Sequence, residues 1–469
     1  MSLQATRTAQ AVPASRVSLR EKLAYAAGDV GSNLVLAPIT AFLIFYLTDV
    51  AGIGAAIAGT IILIGQLLNG IIDLIVGYFI DRTNTRWGKT RPWILFSAVP
   101  LTVTFILLFS VPAGLDAHGK AIWTLIMYAL VMAIFFTASN VAYGALLSVM
   151  TPSPKTRISL GAFRFFAAIL TTLVVSALTL PMIQALGGGQ AAWTTTAIIY
   201  GVIATVTLLL VFFGTKERVR PGRNEESSAR QPIRILLGSL VRNRYFWVIF
   251  AIGALFWVYQ SITSASGIYY ATVILGDPSL FSILSIAGLI PTLILMPFMP
   301  RLMARFGKRS SFLGASVLLL MGSLLPLAAP ENVGVVVAGL LLRGVGFAPF
   351  AAGLYAATAD VIDYGEWRFG VRTDGLIFSG ITIGIKVGSG LGAAAVGWAL
   401  AAGGYDALAN TQTAQASQSI IALYILIPLV VTLLIGLTTL LFRVERHQSE
   451  VDASLGRHAE PDTTNDSEN

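Results

Sequence analysis

The chain has 469 residues, of which 55% are hydrophobic and only 12% charged, far more apolar than a soluble protein of this size. Its net charge of +8 is scattered through short loops and makes no continuous basic stripe, so nucleic acid is not expected as a partner. Cysteine is absent, which excludes disulfides, thiolate metal sites and cysteine nucleophiles together.

In chain order, apolar runs long enough to cross a hydrocarbon core of roughly 30 Å fall near 24–47, 56–80, 93–112, 121–148, 159–184 and 192–214. A second six follow near 243–271, 279–300, 311–329, 332–357, 376–402 and 418–442. The pattern predicts an all-α membrane protein of twelve transmembrane helices in two six-helix bundles. Expected units are an N-terminal cytoplasmic tail (1–20), a first bundle (21–214), a basic cytoplasmic linker with little to bury (215–242), a second bundle (243–442) and a disordered polar tail (443–469). The tail before the first run carries Arg7, Arg16 and Arg20 but no apolar core, so the first span is expected to direct insertion itself. All but four of the 31 lysines and arginines lie on one side, the exceptions being Lys120, Arg164, Arg343 and Lys386. The positive-inside rule then puts both termini in the cytoplasm.

A faint repeat relates the halves: Arg86-Trp87-Gly88-Lys89 follows the second span and Arg305-Phe306-Gly307-Lys308 the eighth. Equivalent loops in two six-helix sets point to a duplicated transporter with its substrate site between the halves. A charge in mid-span costs about 2.5–3.5 kcal/mol on insertion scales, so such residues are kept for use. They number five: Asp29, Asp73, Arg164, Arg343 and Lys386. Asp73 lies one turn from Asn69, and Asp29 has the same spacing to Asn33, so each carboxylate shares a face with an amide. Asp73, Asn69 and Asp29 are candidates for cation coupling, against the plainer readings of a helix staple for Asp73 and a solvated residue for Asp29. Arg164 has no acid nearby in sequence; it either grips a carboxylate or sugar diol through its fork of donors or pairs with Asp73. Lys386, one turn from Thr382, is a compact cation able to exchange partners. Arg343 either adds charge to the cavity or snorkels to the membrane surface. The glycine spacing Gly388-x-x-x-Gly392 suits close helix packing.

Enzyme signatures fail on inspection. Gly88-Lys89-Thr90 resembles the end of a phosphate-binding loop, but the glycine required five positions earlier is Thr83. Histidine occurs only at 118, 447 and 458, in predicted loops or tail, so no zinc cluster and no buried Ser-His pair is expected.

Tyr46-x-Thr48-Asp49-Val50-x-Gly52, the run Asp81 to Pro92 and Asp360-x-x-Asp363-Tyr364-Gly365-Glu366 resemble the glycoside-pentoside-hexuronide:cation symporter family of the major facilitator superfamily. The likeness runs from about Glu21 to Phe442. Gly28-Asp29-Val30, Arg242-Asn243-Arg244 and Gly370-Val371-Arg372 are most similar to its glucuronide-carrier branch. The resemblance implies a cation-site carboxylate at Asp73, a sugar-contacting arginine at Arg164, a helix 11 lysine at Lys386, and polar site positions at Thr137 and Thr382. The chain departs from the melibiose-carrier pattern where Asn33, Asn69 and Asn140 stand in place of aspartates, and Gly144 and Ala351 in place of tryptophans.

Fewer carboxylates remove the anionic cage that would hold a hard cation, whereas Asp73 alone can carry a proton. The expected function is therefore cation-coupled, preferably proton-coupled, symport of a sugar or a sugar acid such as a hexuronide, by alternating access. Alternatives are a sodium-coupled neutral glycoside or pentoside symporter and a membrane sugar sensor that does not transport. The expected substrate-binding set is Asn33, Thr137, Asn140, Arg164, Thr382, Lys386 and Arg343; Asp73, Arg164 and Lys386 are expected to converge on one chamber. Asp81, Arg86, Lys89 and Arg91 are expected to pair with neighbouring helix ends and hold one state closed. No metal and no cofactor beyond the coupling ion, H+ or Na+, is expected, and the chain is expected to work as a monomer among bacterial inner-membrane lipids.

Overall fold

The computed structural model describes residues 17–151, 153–218, 233–409 and 411–454. Twelve helices are long and apolar enough to cross a membrane. They are α1 (Leu19–Val50), α2 (Ala55–Arg82), α3 (Arg91–Leu108), α4 (Ala117–Met150), α5 (Ser159–Ala185) and α6 (Gly189–Gly214), followed by α7 (Arg244–Ile274), α8 (Leu280–Phe306), α9 (Lys308–Leu327), α10 (Val333–Phe369), α11 (Asp374–Ala402) and α12 (Ala414–Val451). The first six and the last six form two bundles in the major facilitator arrangement, and the chain is a multi-pass membrane protein. The α10 helix runs twelve residues past its predicted end at 357. Beyond that point Asp360, Asp363 and Glu366 make the turns polar without breaking the helix, and Gly370, at φ +68°, ends it with a left-handed cap.

The halves meet along α2 with α11, α1 with α7 and α5 with α8. Small residues set the first of these distances. A Cβ on Gly397 would stand 2.3 Å from the Ala55 carbonyl oxygen, and one on Gly59 would stand 3.0 Å from that of Ala394. Gly388 and Gly392 serve another seam, laying α11 on α7 so closely that added Cβ atoms would strike the carbonyl oxygens of Ala254 and Val258.

The end of the molecule that carries the first and last described residues is secured in the same way in both halves. Glu217, three residues after α6, accepts from the backbone N–H groups of Lys89 and Thr90 at 2.8 Å each and of Arg91 at 3.1 Å, and from the Thr90 hydroxyl. Glu445 does the same for Lys308 and Arg309 at the start of α9. Each carboxylate satisfies orphan amides at a helix N-terminus and complements its dipole. Gly88 (φ +106°) and Gly307 (φ +79°) precede the two helices, and a side chain on either would run into the capping glutamate. The repeated tetrapeptides are thus the footprint of a duplicated cap.

This corrects two expectations. The segment 215–242 is more than a linker with little to bury: Thr215 is buried, Glu217 is a cap, Arg218 clamps Glu21 at 2.6 Å, and Ile233–Arg242 is helical. Nor is the tail structureless from 443. Phe442 and Val444 are buried, Glu445 caps α9, and Gln448–Ser454 is helical; residues 219–232 and 455–469 lie outside the described residues.

Glu217→Ala and Glu445→Ala are each expected to cost about 1–2 kcal/mol, read as a lower thermal unfolding midpoint in detergent. A midpoint unchanged in both variants would refute the capping role.

Candidate functional site

Between the halves lies a cavity of about 450 Å³, within the ~300–1,000 Å³ typical of small-molecule sites. Asn33, Asn69, Asp73, Thr137, Asn140, Thr382 and Lys386 line it, as do Gln66, Trp257, Gln260 and Ser264. Its core is an ion pair between Asp73 on α2 and Lys386 on α11, one partner from each half. The Lys386 ammonium also donates to the Asn69 side-chain oxygen at 2.7 Å and the Asn69 backbone carbonyl at 3.2 Å, so all three of its protons have acceptors. The Thr137 hydroxyl stands 2.7 Å from Asn69 Oδ1 and 2.9 Å from Asp73 Oδ1, and Asn69 Nδ2 donates to Gln66 at 3.3 Å. The helical spacing of 69 and 73 puts both side chains on one face, and the structure sets the Lys386 ammonium against both.

The second ion pair lies elsewhere. Arg164 Nε donates to Asp29 at 2.7 Å and Nη2 to its other oxygen at 3.3 Å. Arg164 Nη1 reaches the Tyr25 hydroxyl at 3.1 Å, and the guanidinium sits 4.1 Å from the Tyr143 ring centroid. The Tyr143 hydroxyl lies 2.8 Å from Asp29 Oδ2. Gly28 makes room for that ring, since a Cβ there would lie 2.4 Å from it. All of these residues are on α1, α4 and α5, within one half, and one turn outside the cavity wall at Asn33, whose side-chain amide donates to the Asp29 carbonyl at 2.8 Å.

Arg164 therefore does not pair with Asp73, and neither Arg164 nor Asp29 lines the central cavity with Lys386. The expected convergence of Asp73, Arg164 and Lys386 on one chamber is corrected to two separate pairs, because α5 faces α1 rather than α2 at this level. Arg343 does not snorkel. It is 3% exposed, donates to the Ser323 hydroxyl and the Tyr424 carbonyl at 3.1 Å each, and lines a smaller adjoining pocket.

Access to the cavity is one-sided. Away from the termini the halves are tied by Thr48 to Tyr269 (2.7 Å), by the Tyr405 hydroxyl to Asp49 (2.6 Å) and by Trp398 to Thr60 (3.0 Å), with Phe45 and Tyr269 edge to face. Toward the termini Tyr355, which lines the same cavity, is 54% exposed. The four residues singled out for gating make their contacts inside the first half: Lys89 pairs with the exposed Asp81 at 2.6 Å, Arg91 donates to the Phe212 carbonyl at the end of α6, and Arg86 lies over Trp87. Gln66, Gln260 and Ser264 also face the cavity; in sequence they neither carry a charge nor fall on the resemblance that marks Asn33, Thr137, Asn140 and Thr382, and uncharged polar type within a span is their one signal. The capping Glu217 and Glu445 look in sequence like any loop acid.

Residues 24–446 match the MFS/sugar transport protein family. The chain belongs to that family. Family membership makes it a transporter and not an enzyme. Among its relatives, the isoprimeverose transporter of Lactiplantibacillus pentosus is 32% identical over 465 residues, covering 97% of this chain and 95% of that one. The glucuronide carrier protein homolog of Escherichia coli is 32% identical over 400 residues, covering 84% and 85%. The crystal structure of a D-xylose-proton symporter, 15% identical, superimposes with a TM-score of 0.58 over 90% of this chain and 97% of that one, a likeness of fold.

Two outcomes are expected from this geometry. Asp29→Asn is expected to lower thermal stability more than Asp29→Asn combined with Arg164→Gln, because a stranded buried cation costs more than a missing pair; an additive double variant would refute this. The chain has no native cysteine, so Ile44→Cys in the cavity wall can be labelled alone. Adding Tyr405→Phe is expected to speed its labelling by an impermeant thiol reagent from the face opposite the termini several-fold, and an unchanged rate would show that the tyrosine seals nothing.

Proposed function

We propose that this chain is a proton-coupled symporter of a sugar or sugar acid, working by alternating access in a bacterial inner membrane with both termini in the cytoplasm. On that orientation the structure is the inward-open state, closed outside by the Asp49–Tyr405 and Thr48–Tyr269 ties. The observation that carries the reading is the Asp73–Lys386 pair, the ion pair in the cavity that joins the two halves.

The cycle follows from competition for one carboxylate. With Asp73 ionised, Lys386 is held on α2; a proton on Asp73 removes the attraction and frees the ammonium to bind sugar oxygens, so proton and substrate are loaded together. Release of both to the cytoplasm restores the pair. The amides of Asn33, Asn140 and Gln260 supply donors and acceptors for hydroxyl groups around it. Sodium is disfavoured here: the carboxylate is already occupied by an ammonium, and the neighbouring Asn69 and Thr137 contribute no second negative charge to attract a hard cation. In this reading Asp81, Arg86, Lys89 and Arg91 keep the inner ends of α2, α3 and α6 as one rigid unit. A neutral glycoside is the second reading, favoured by the internal pairing of Arg164 with Asp29, which removes that guanidinium as an anion clamp.

In vesicles, an inward pH gradient without sodium is expected to drive sugar accumulation, and Asp73→Asn is expected to abolish gradient-driven accumulation while retaining sugar exchange. Full accumulation by Asp73→Asn, or uptake that needs sodium, would overturn the assignment.

A further inference from the structure

Three basic residues lie within the spans at Arg164, Arg343 and Lys386, against Asp29 and Asp73. Asp29 is used by Arg164 and Asp73 by Lys386. Among the described residues Arg343 has no ion-pair partner and its Nη1 no hydrogen-bond partner; the guanidinium lies 5.6 Å from the Tyr424 ring centroid. A guanidinium cannot shed its proton in a protein, so this is a standing positive charge in a low-dielectric interior, 3% exposed, with one donor group unmet. Such a group is costly unless something negative reaches it.

The pocket beside it has the room and the connection. It measures about 120 Å³, room for several waters or for a carboxylate group. Thr172, Ser176, Gln260 and Ser264 line both this pocket and the central cavity, so the two spaces adjoin. Gly288 forms part of its wall, and a Cβ there would meet no atom within 4 Å. The Tyr424 carbonyl that accepts from Arg343 belongs to a π-helical turn of α12, Ala422–Leu426, a local irregularity of the kind often found at functional sites.

We propose that this side pocket is the carboxylate subsite of the transporter: a sugar whose ring lies in the central cavity places its carboxylate against Arg343, which makes sugar acids the substrate class. Nη1 is shut off in the inward-open state and gains its partner when the α12 wall moves in the loaded state. This rests on the symport reading above, and it decides between the acid and the neutral glycoside that reading leaves open.

The test is binding to the purified full chain of two matched pairs, methyl β-glucuronide with methyl β-glucoside and galacturonate with galactose, each pair differing by the C6 carboxylate. The wild-type chain is expected to prefer the acid in at least one pair. Arg343→Gln is expected to lower the acid-to-neutral affinity ratio about tenfold or more, the usual worth of a charge-assisted hydrogen bond, and Arg343→Lys to recover part of it. Gly288→Val, which adds bulk to the pocket wall at a position where a Cβ meets no atom within 4 Å, is expected to lower the ratio as well. A neutral preference in both pairs, binding of neither member, or a ratio unmoved in both Arg343→Gln and Gly288→Val would overturn the subsite. A free anion as the true occupant would show as binding of the neutral sugar that depends on chloride and loses that dependence in Arg343→Gln, which also overturns it. Proton-driven uptake of the neutral sugar in preference to its acid in both pairs would leave the symport reading standing while the subsite fails; absence of gradient-driven uptake of any sugar in these pairs would count against the symport reading itself.

Discussion

An ammonium from one half of the molecule and a carboxylate from the other, meeting in a chamber walled by apolar helices, constrain everything else in this structure. Neither charge is tolerable alone at that depth, so α2 and α11 must stay in register, and the small residues that let them touch, Gly59 and Gly397, become structural requirements. Because the attraction belongs to one protonation state, this contact between the halves is the one on which the proposed proton coupling would act. A purely apolar seam would hold the bundles but give a proton no purchase on them.

Around this centre the two halves are stiffened at their ends by the same device. Glu217 and Glu445 cap the helices that follow Gly88 and Gly307, so each bundle is fastened at the end that carries the first and last described residues. The ties away from the termini, through Asp49, Thr48, Tyr269 and Tyr405, are hydrogen bonds between side chains at the helix ends, individually modest and replaceable by water, which suits the gate proposed above. The Asp29–Arg164 pair is of another kind: bidentate, covered by two tyrosine rings and internal to one half. It stiffens α1 against α5 next to the cavity wall and sets where Asn33 stands.

Much of this was legible in the sequence. Twelve apolar runs, a basic side, and five charges in mid-span follow from the cost of placing polar groups in hydrocarbon, and that cost reads directly from residue types. The face shared by Asn69 and Asp73 follows from helical period alone. Which acid meets which base did not follow, since it depends on how the helices are rotated against each other; Arg164 could be given a role in sugar binding but not its partner, Asp29. The extra turns of α10 were missed because a helix that leaves the membrane stops being apolar without ceasing to be a helix. The caps were missed because a loop glutamate looks solvated until the amides it serves are known. Arg343 shows the reverse: its type and depth marked it, and only the structure revealed that no acid among the described residues pairs with it.

The account stands or falls on whether loading sugar protonates Asp73. The direct measurement is the proton uptake of the purified protein in weakly buffered solution, followed with a pH indicator as a transported sugar is added above neutral pH. One proton taken up per sugar bound, and none in Asp73→Asn, is the outcome this structure calls for. Sugar binding with no proton uptake in the unaltered chain, or the same uptake when Asp73 is replaced, would contradict it.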